Sequence, residues 1–326
     1  MENNNKKRWI AALIAFLVFV VTSISASRFE NQTTNVRKDA LERFGAMDEK
    51  ILYGSNPSQK IYVINVDGTI MPDDTNDYVV EKLKEAAEDV SCVGVMVHVD
   101  TPGGSVYASE KIAKAIEEVQ ATEKPVYSVM QSLAASGGYY ISAPTDKIFA
   151  SNETFTGSIG VIMSGYSLEG LFEEYGIKEQ NITSGKMKDA GTLGRDMSKE
   201  EKEYLQNLVD GAYGRFVKIV ADGRGMAEDE VRKLADGRIY DGAQAKDNGL
   251  VDEIGDLDDA VADMTEAYNL SNPMVVEKEY MLSVFNKYLP GFTGKGEVSK
   301  SNLQVIQETI KEHQMMPMYL YGGYHD

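Results

Sequence analysis

Cysteine is nearly missing from this chain: Cys92 is the only one in 326 residues. An internal disulfide is therefore excluded, and so is a cysteine-rich metal site. Cys92 lies in an apolar run and reads as a small core residue. Histidine is almost as scarce. His98, His313 and His325 are the only three, and none lies between residues 99 and 312. Positive charge is also in deficit, with 33 Lys and Arg against 51 Asp and Glu, for a formal net charge of −18. Nucleic-acid binding needs clustered Lys and Arg, so no nucleic-acid partner is expected. The surplus acid is spread along the chain, where it serves solubility. No long internal repeat is present. The 43% hydrophobic and 26% charged residues are those of a globular protein with one large domain or two modest ones.

One long apolar run does occur. Lys6-Lys7-Arg8 precedes an uncharged stretch from Trp9 to Ser27, closed by Arg28. At 1.5 Å per residue, roughly 18 residues span about 27 Å, close to a bilayer core. The basic flank comes first, so the N-terminus is expected in the cytoplasm and the body outside it. A retained single-pass anchor in the cell membrane, contacting lipid through residues 9–27, is preferred to a cleaved signal peptide. The cleavage alternative rests on the small residues of Ser23-Ile24-Ser25. Residues 29–57 are polar and read as a linker, with a short helix near Lys38 to Met47.

Strands and helices then alternate. Lys60–Val66, Cys92–Val99, Val126–Met130 and Lys147–Ala150 read as strands. Asn76–Val90 and Glu110–Gln120 read as helices, with apolar residues at helical spacing. This order predicts an α/β fold with a parallel sheet. Ser198–Val220 is a further helix, with Ser198 and Glu201 as its capping box. Its expected buried stripe is Tyr204, Leu205, Leu208, Val209, Ala212 and Phe216. Met226–Leu234 and Leu257–Tyr268 follow as helices, and Met281–Leu289 is amphipathic.

Two glycine-rich stretches follow strand ends. In the first, Pro102-Gly103-Gly104, two glycines let backbone N–H groups face an incoming group with no Cβ in the way. In the second, Ala134-Ala135-Ser136-Gly137-Gly138-Tyr139-Tyr140, Ser136 sits where a strand gives way to a helix. Free N–H groups and the positive end of the helix dipole meet there. A serine hydroxyl so placed can attack a carbonyl, and the Gly137 N–H can meet the oxygen that turns negative. Taken alone, the first stretch also reads as a plain tight turn and the second as a serine N-cap.

A serine needs a base, and the histidines do not supply one. His98 falls inside a strand and reads as a packed, hydrogen-bonded histidine; the other two lie in the tail. A lysine is the remaining choice. Its free pKa is about 10.4, so lowering it to about 8 takes some 3 kcal/mol against the charged form. Lys147, Lys178, Lys186 and Lys188 all lie downstream, and periodicity does not choose among them.

Several motifs in order resemble the signal peptide peptidase family of Ser-Lys membrane proteases (peptidase family S49), in its short bacterial form. They are Asp100-Thr101-Pro102-Gly103-Gly104, Ala134 to Tyr140, Thr156-Gly157-Ser158-Ile159-Gly160-Val161, Ser184-Gly185-Lys186-Met187-Lys188-Asp189, and Gly237-Arg238-Ile239-Tyr240-Asp241-Gly242. The resemblance runs from about Lys60 to Gly255. It implies a crotonase- or Clp-protease-like β/α core behind an N-terminal transmembrane helix. It also implies that Ser136 is the nucleophile, Lys188 the general base and Ser158 a serine that holds the lysine. Gly104 and Gly137 match the oxyanion donors. Thr101 stands where relatives often carry a serine, and Lys186, two residues from Lys188, could take its role if the loop shifts.

No metal or organic cofactor is implied. The resemblance further implies a homo-oligomeric ring with sites shared between protomers. Its substrates would be extended apolar peptides, including cleaved signal peptides, in a groove lined by small and aliphatic side chains. The resulting division is an anchor (1–28), a linker (29–57), the protease domain (58–270) and a helical C-terminal extension and tail (271–326). Within that tail, Met315 to Tyr321 is apolar and is expected to lie as an added strand in a peptide groove, its own or a neighbour's. Two other readings share the fold: a crotonase-type acyl-CoA enzyme, and a non-catalytic membrane scaffold.

Overall fold

Strands that are apolar on both faces build the central sheet. The computed structural model describes residues 49–279 and 316–321. The expected anchor, the helix near Lys38, Met281–Leu289 and the glycine-rich stretch after it lie outside the described residues. Among those described, no helix is long and apolar enough to cross a membrane.

The central sheet contains β1 (Glu49–Tyr53), β2 (Asn56–Asp67), β3 (Cys92–Thr101), β5 (Val126–Ala135), β6 (Lys147–Ala150), β9 (Glu253–Ile254) and β10 (Pro273–Lys278). Their order is β1-β10-β2-β3-β5-β6-β9. From β10 to β9 every pairing is parallel. Successive side chains of a strand point to opposite faces, and both faces here are covered. Tyr62, Ile64, Val66, Val95, Val97 and Val99 meet Val79, Leu83, Ile112 and Ile116 of the helices α1 (Asp74–Glu88) and α2 (Val106–Gln120). Ile61, Val63, Met96, Tyr127 and Val129 meet Ala260, Val261 and Met264 of the helix α8 (Leu257–Ala267). Burial on both faces accounts for the apolar run Cys92–Val97 of β3.

The sheet reaches past the expected boundaries of the protease domain. Residues 49–57, read as linker, supply β1 and the start of β2, and β10 comes from the stretch read as C-terminal extension. β5 is twice as long as its apolar run. Its first half pairs with β6, and its second half, Leu133–Ala135, pairs with the short strand β7 (Phe155–Gly157). β7 in turn pairs antiparallel with β8 (Ile239–Tyr240).

Five more helices and one short strand surround the site. They are β4 (Gly103–Ser105), α3 (Gly137–Ser142), α4 (Glu169–Glu174) and α5 (Lys199–Arg224), with α6 (Glu228–Leu234) and α7 (Gly242–Asp247) behind them. The Ser198–Glu201 capping box of α5 is present in both directions. Its expected buried stripe is correct only in the second half. Ala212 and Phe216 are buried, Phe216 against Tyr140 and Tyr319, whereas Tyr204 and Leu208 are exposed. The preceding segment exposes Tyr166, Tyr175, Ile177 and Ile182 as well.

Candidate active site

The glycine loop after β3 is shaped by a close backbone neighbour. Ile70 donates its N–H to the Gly103 carbonyl at 2.8 Å and accepts from the Ser105 N–H at 2.7 Å. This turns the Gly104 amide to the other side of the strand. A Cβ at Gly104 would lie 2.0 Å from the Ile70 carbonyl oxygen, so no side chain fits there. Gly103 has φ of 97°, and its N–H is held by Thr101 Oγ1 at 3.0 Å. Threonine at 101 thus tethers the loop through its hydroxyl.

Ser136 joins β5 to α3 with φ of 54° and ψ of −109°. Its N–H donates to Gly157 O at 2.8 Å, and its carbonyl accepts from Tyr140 N at 2.8 Å. The turn is therefore held on both sides. Ser136 is 1% exposed, and its Oγ has no hydrogen-bond partner. Ser158, one residue beyond the end of the neighbouring strand β7, has φ of 48° and bonds Arg238 O through its N–H at 2.8 Å. Five non-glycine residues have positive φ among those described, and these two serines are among them. Such backbone costs about 1–3 kcal/mol per residue and gathers at functional sites.

A peptide strand already lies across this region. Residues 316–321 include β11 (Met318–Leu320), which pairs antiparallel with β4, Tyr319 opposite Gly104. Tyr321 N–H donates to Pro102 O at 2.9 Å, and Val106 N–H reaches Pro317 O at 3.4 Å. Hydrogen-bonded pairs alternate in an antiparallel ladder, so Gly104 and Tyr319 between them face each other as a bonded pair. On its other edge β11 exchanges two bonds with Ile162, at 2.9 and 3.0 Å. A Cβ built on Gly103 would lie 2.1 Å from the Tyr319 carbonyl oxygen and 2.5 Å from Gly137 N. The Tyr319 carbonyl therefore sits beside both amides that the sequence marks as oxyanion donors. The expectation that the apolar tail lies as an added strand is met by this chain's own groove.

Tyr319 is 0% exposed. Its ring stacks on Tyr140 and tilts against Phe216, each at 4.7 Å between centroids, and its hydroxyl donates to Ala212 O at 3.1 Å. The tail thus packs on aromatic rings at this position. Burial pushes the Tyr140 hydroxyl pKa up to about 12, so the cluster is neutral at ordinary pH. Beyond the tail, Ser158, Ile162, Val209, Tyr213, Leu320 and Tyr321 help line an open cavity of about 600 Å³.

The lysines are elsewhere. Lys188 is exposed in a run of turns, its N–H bonded to Gly185 O at 3.0 Å, and within one chain it makes no bond to Ser136. Lys186 pairs with Glu200, and Lys147 with Asp263. Asp189 pairs with Arg195 at 3.3 Å. His98 is packed as expected, with Nδ1 3.1 Å from Asn65 Oδ1 and 3.2 Å from Gln131 Nε2; burial pushes its pKa down. Within the single chain Ser136, Gly104 and Gly137 come together, Ser158 stands at the next strand end, and Lys188 does not join them. The sequence carried no sign of Ile70 or Ile162, because both act through backbone atoms that any residue has.

Residues 118–271 match the model of "Peptidase family S49". The chain is 35% identical over 349 aligned positions to a protein of Enterococcus faecium named as a signal peptide peptidase, covering 98% of this chain and 99% of that one. It is 34% identical to Protease 4 of Haemophilus influenzae over 228 residues, 68% of this chain and 37% of that protein. A chloroplastic serine protease of Arabidopsis thaliana is 33% identical over 195 residues, 60% of this chain and 29% of that one. Among solved structures, a ClpP1 mutant from Listeria monocytogenes is similar with a TM-score of 0.42 and 18% identity, over 61% of this chain and 94% of that chain.

Proposed function

Because the chain belongs to peptidase family S49 and is a serine peptidase of the signal peptide peptidase type, we propose that Ser136 is its nucleophile and that Lys188 of an adjoining copy is its base. The observation that carries this reading is the tail strand, an extended peptide whose Tyr319 carbonyl lies at the Gly104 and Gly137 amides beside the strained Ser136. A substrate takes the same place. Ser136 Oγ bonds to the scissile carbonyl carbon while its proton passes to the lysine amine. The carbonyl oxygen becomes negative between the Gly104 and Gly137 N–H groups. The C–N bond then breaks, and the lysine returns the proton to the leaving amine. Water, deprotonated by the same amine, releases the acyl group and restores Ser136.

Ser158 serves to hold the incoming lysine. Its place at the next strand end, on the open cavity, supports that role. Lys188 is exposed within an arm that also exposes Tyr166, Tyr175, Ile177 and Ile182. An arm of that composition suits contact with a second copy, which supports a homo-oligomer whose sites are shared. Extended apolar peptides, cleaved signal peptides among them, fit a groove that accepts a strand and a buried tyrosine. Residues 9–27 anchor the chain in the membrane with the body outside the cytoplasm, on the strength of their charge pattern.

The test compares wild type with Ser136→Ala, Lys188→Ala and Lys186→Ala on an unstructured apolar peptide. The reading expects loss of hydrolysis in the first two and retention in the third. Mixing the Ser136→Ala and Lys188→Ala chains restores part of the activity if the site is shared. Full activity of Lys188→Ala refutes the dyad.

A further inference from the structure

Two buried side-chain polar atoms lack any hydrogen-bond partner among the described residues, and both belong to serines: Ser136 Oγ and Ser109 Oγ. The first has a task in the proposed reaction. The second has none so far. Ser109 lies on α2, four residues after the last residue of β4, and is 0% exposed. A Cβ built on Gly137 would meet Ser109 Oγ at 2.7 Å, Gly103 Cα at 3.0 Å and Gly104 N at 3.0 Å. The hydroxyl therefore occupies space against Gly137, which the Gly103–Gly104 peptide also approaches.

Folding gains little from this hydroxyl. A serine inside a helix ordinarily satisfies its O–H on a carbonyl one turn back, and Ser109 does not. A buried hydroxyl left unbonded costs about 1–3 kcal/mol. Alanine in the same place would carry no such cost and has the better helix propensity. Buried groups without partners are rare enough that each asks for a reason. Here the reason is the neighbour: the atom backs Gly137, one of the two proposed oxyanion donors, where Gly137 touches the Gly103–Gly104 segment that carries the other.

We propose that Ser109 is a positioning residue, a strut that keeps the Gly137 amide and the Gly104 amide at the separation the oxyanion requires. The inference rests on the oxyanion reading given above and extends it to a third element. Without the strut, Gly137 can settle toward α2, and the donor pair fits the tetrahedral oxygen less well. The ground-state carbonyl is less affected, because the β4 ladder and the aromatic pocket hold the peptide. The loss therefore falls on kcat, not on KM.

The experiment measures kcat, KM and melting temperature for the full chain carrying Ser109→Ala, Ser109→Cys or Ser136→Ala. Ser109→Ala is expected to lower kcat about tenfold with KM within about twofold, since small misplacements near the chemistry cost one to two orders of magnitude. Its melting temperature is expected to stay level or rise. Ser109→Cys, which refills the gap, is expected to recover kcat to within about threefold of wild type. A fully active Ser109→Ala overturns the inference, as does a kcat loss matched by a fall in melting temperature that cysteine does not rescue. If Ser136→Ala is itself active, the reading of the nucleophile fails first; if it is dead while Ser109→Ala is fully active, only the strut is lost.

Discussion

Removing the tail strand from the groove should make the protein bind peptides more tightly. In the proposed reading a substrate needs the ladder along β4 that the tail occupies, so the two would compete. An occupant on the same chain with occupancy constant K raises the apparent KM by a factor of 1 + K and leaves kcat alone. Tyr319 carries much of that occupancy. It is fully buried between Tyr140 and Phe216 and bonds Ala212 O. Truncating a buried aromatic residue to alanine costs about 3–5 kcal/mol. The lower end applies, since the vacated pocket opens to water, and about 3 kcal/mol is a factor of roughly 100 in K. Tyr319→Ala is therefore expected to lower KM for an unstructured apolar peptide by about tenfold or more, up to that limit. Deletion of residues 316–326 should do the same, with kcat within about twofold of wild type in both cases. Steady-state hydrolysis by the full chain reads both constants, and protease sensitivity of the tail reads its release independently. Wild-type KM in both folded variants, with unchanged protease sensitivity of the tail in Tyr319→Ala, would show that the tail is not a competitor.

Gly104→Ala drives a Cβ into the Ile70 backbone; a loss of about 1–3 kcal/mol of stability and at least about 100-fold in kcat is expected, read by thermal melting and steady-state rates. Glu85→Gln removes a carboxylate that both Lys82 and the fully buried Lys278 side chain bond. With Glu85 itself partly exposed, a cost of about 1–3 kcal/mol is expected in urea titration, and an unchanged midpoint would contradict it. His98 has its pKa lowered by burial, against the raising effects of Glu277 and Asp100. The unfolded chain takes up that proton near its ordinary pKa of about 6.5 and the folded chain only at lower pH, so stability falls as pH drops below about 6.5. His98→Gln should flatten that part of the melting-temperature profile and leave it unchanged above pH ~7. A lysine base works only when neutral, so hydrolysis should climb into the alkaline range; a rate that peaks below pH 6 would rule the mechanism out.

The strand–helix order, the parallel sheet, the capping box at Ser198 and the packing of Cys92 and His98 were all legible in the linear chain. Each follows from spacing or from the chemistry of one side chain. The glycines at 103, 104 and 137 were legible for the same reason, since a missing Cβ is a property of the residue itself. Other features depended on which surfaces meet. Helical periodicity in α5 marks an apolar stripe but not which part of it is covered, so Tyr204 and Leu208 were expected inside and lie outside. The aromatic wall of Tyr140 and Phe216 meets Tyr319 of the tail, residues up to 179 positions apart in sequence. Ile70 and Ile162 contribute only N–H and carbonyl groups, which carry no signature. The local pattern thus determined which chemistry the chain can hold, because propensity and side-chain type act over a few residues. Only the tertiary structure decided which groups share a site, since that depends on long-range packing and leaves Lys188 on the outside of its own chain.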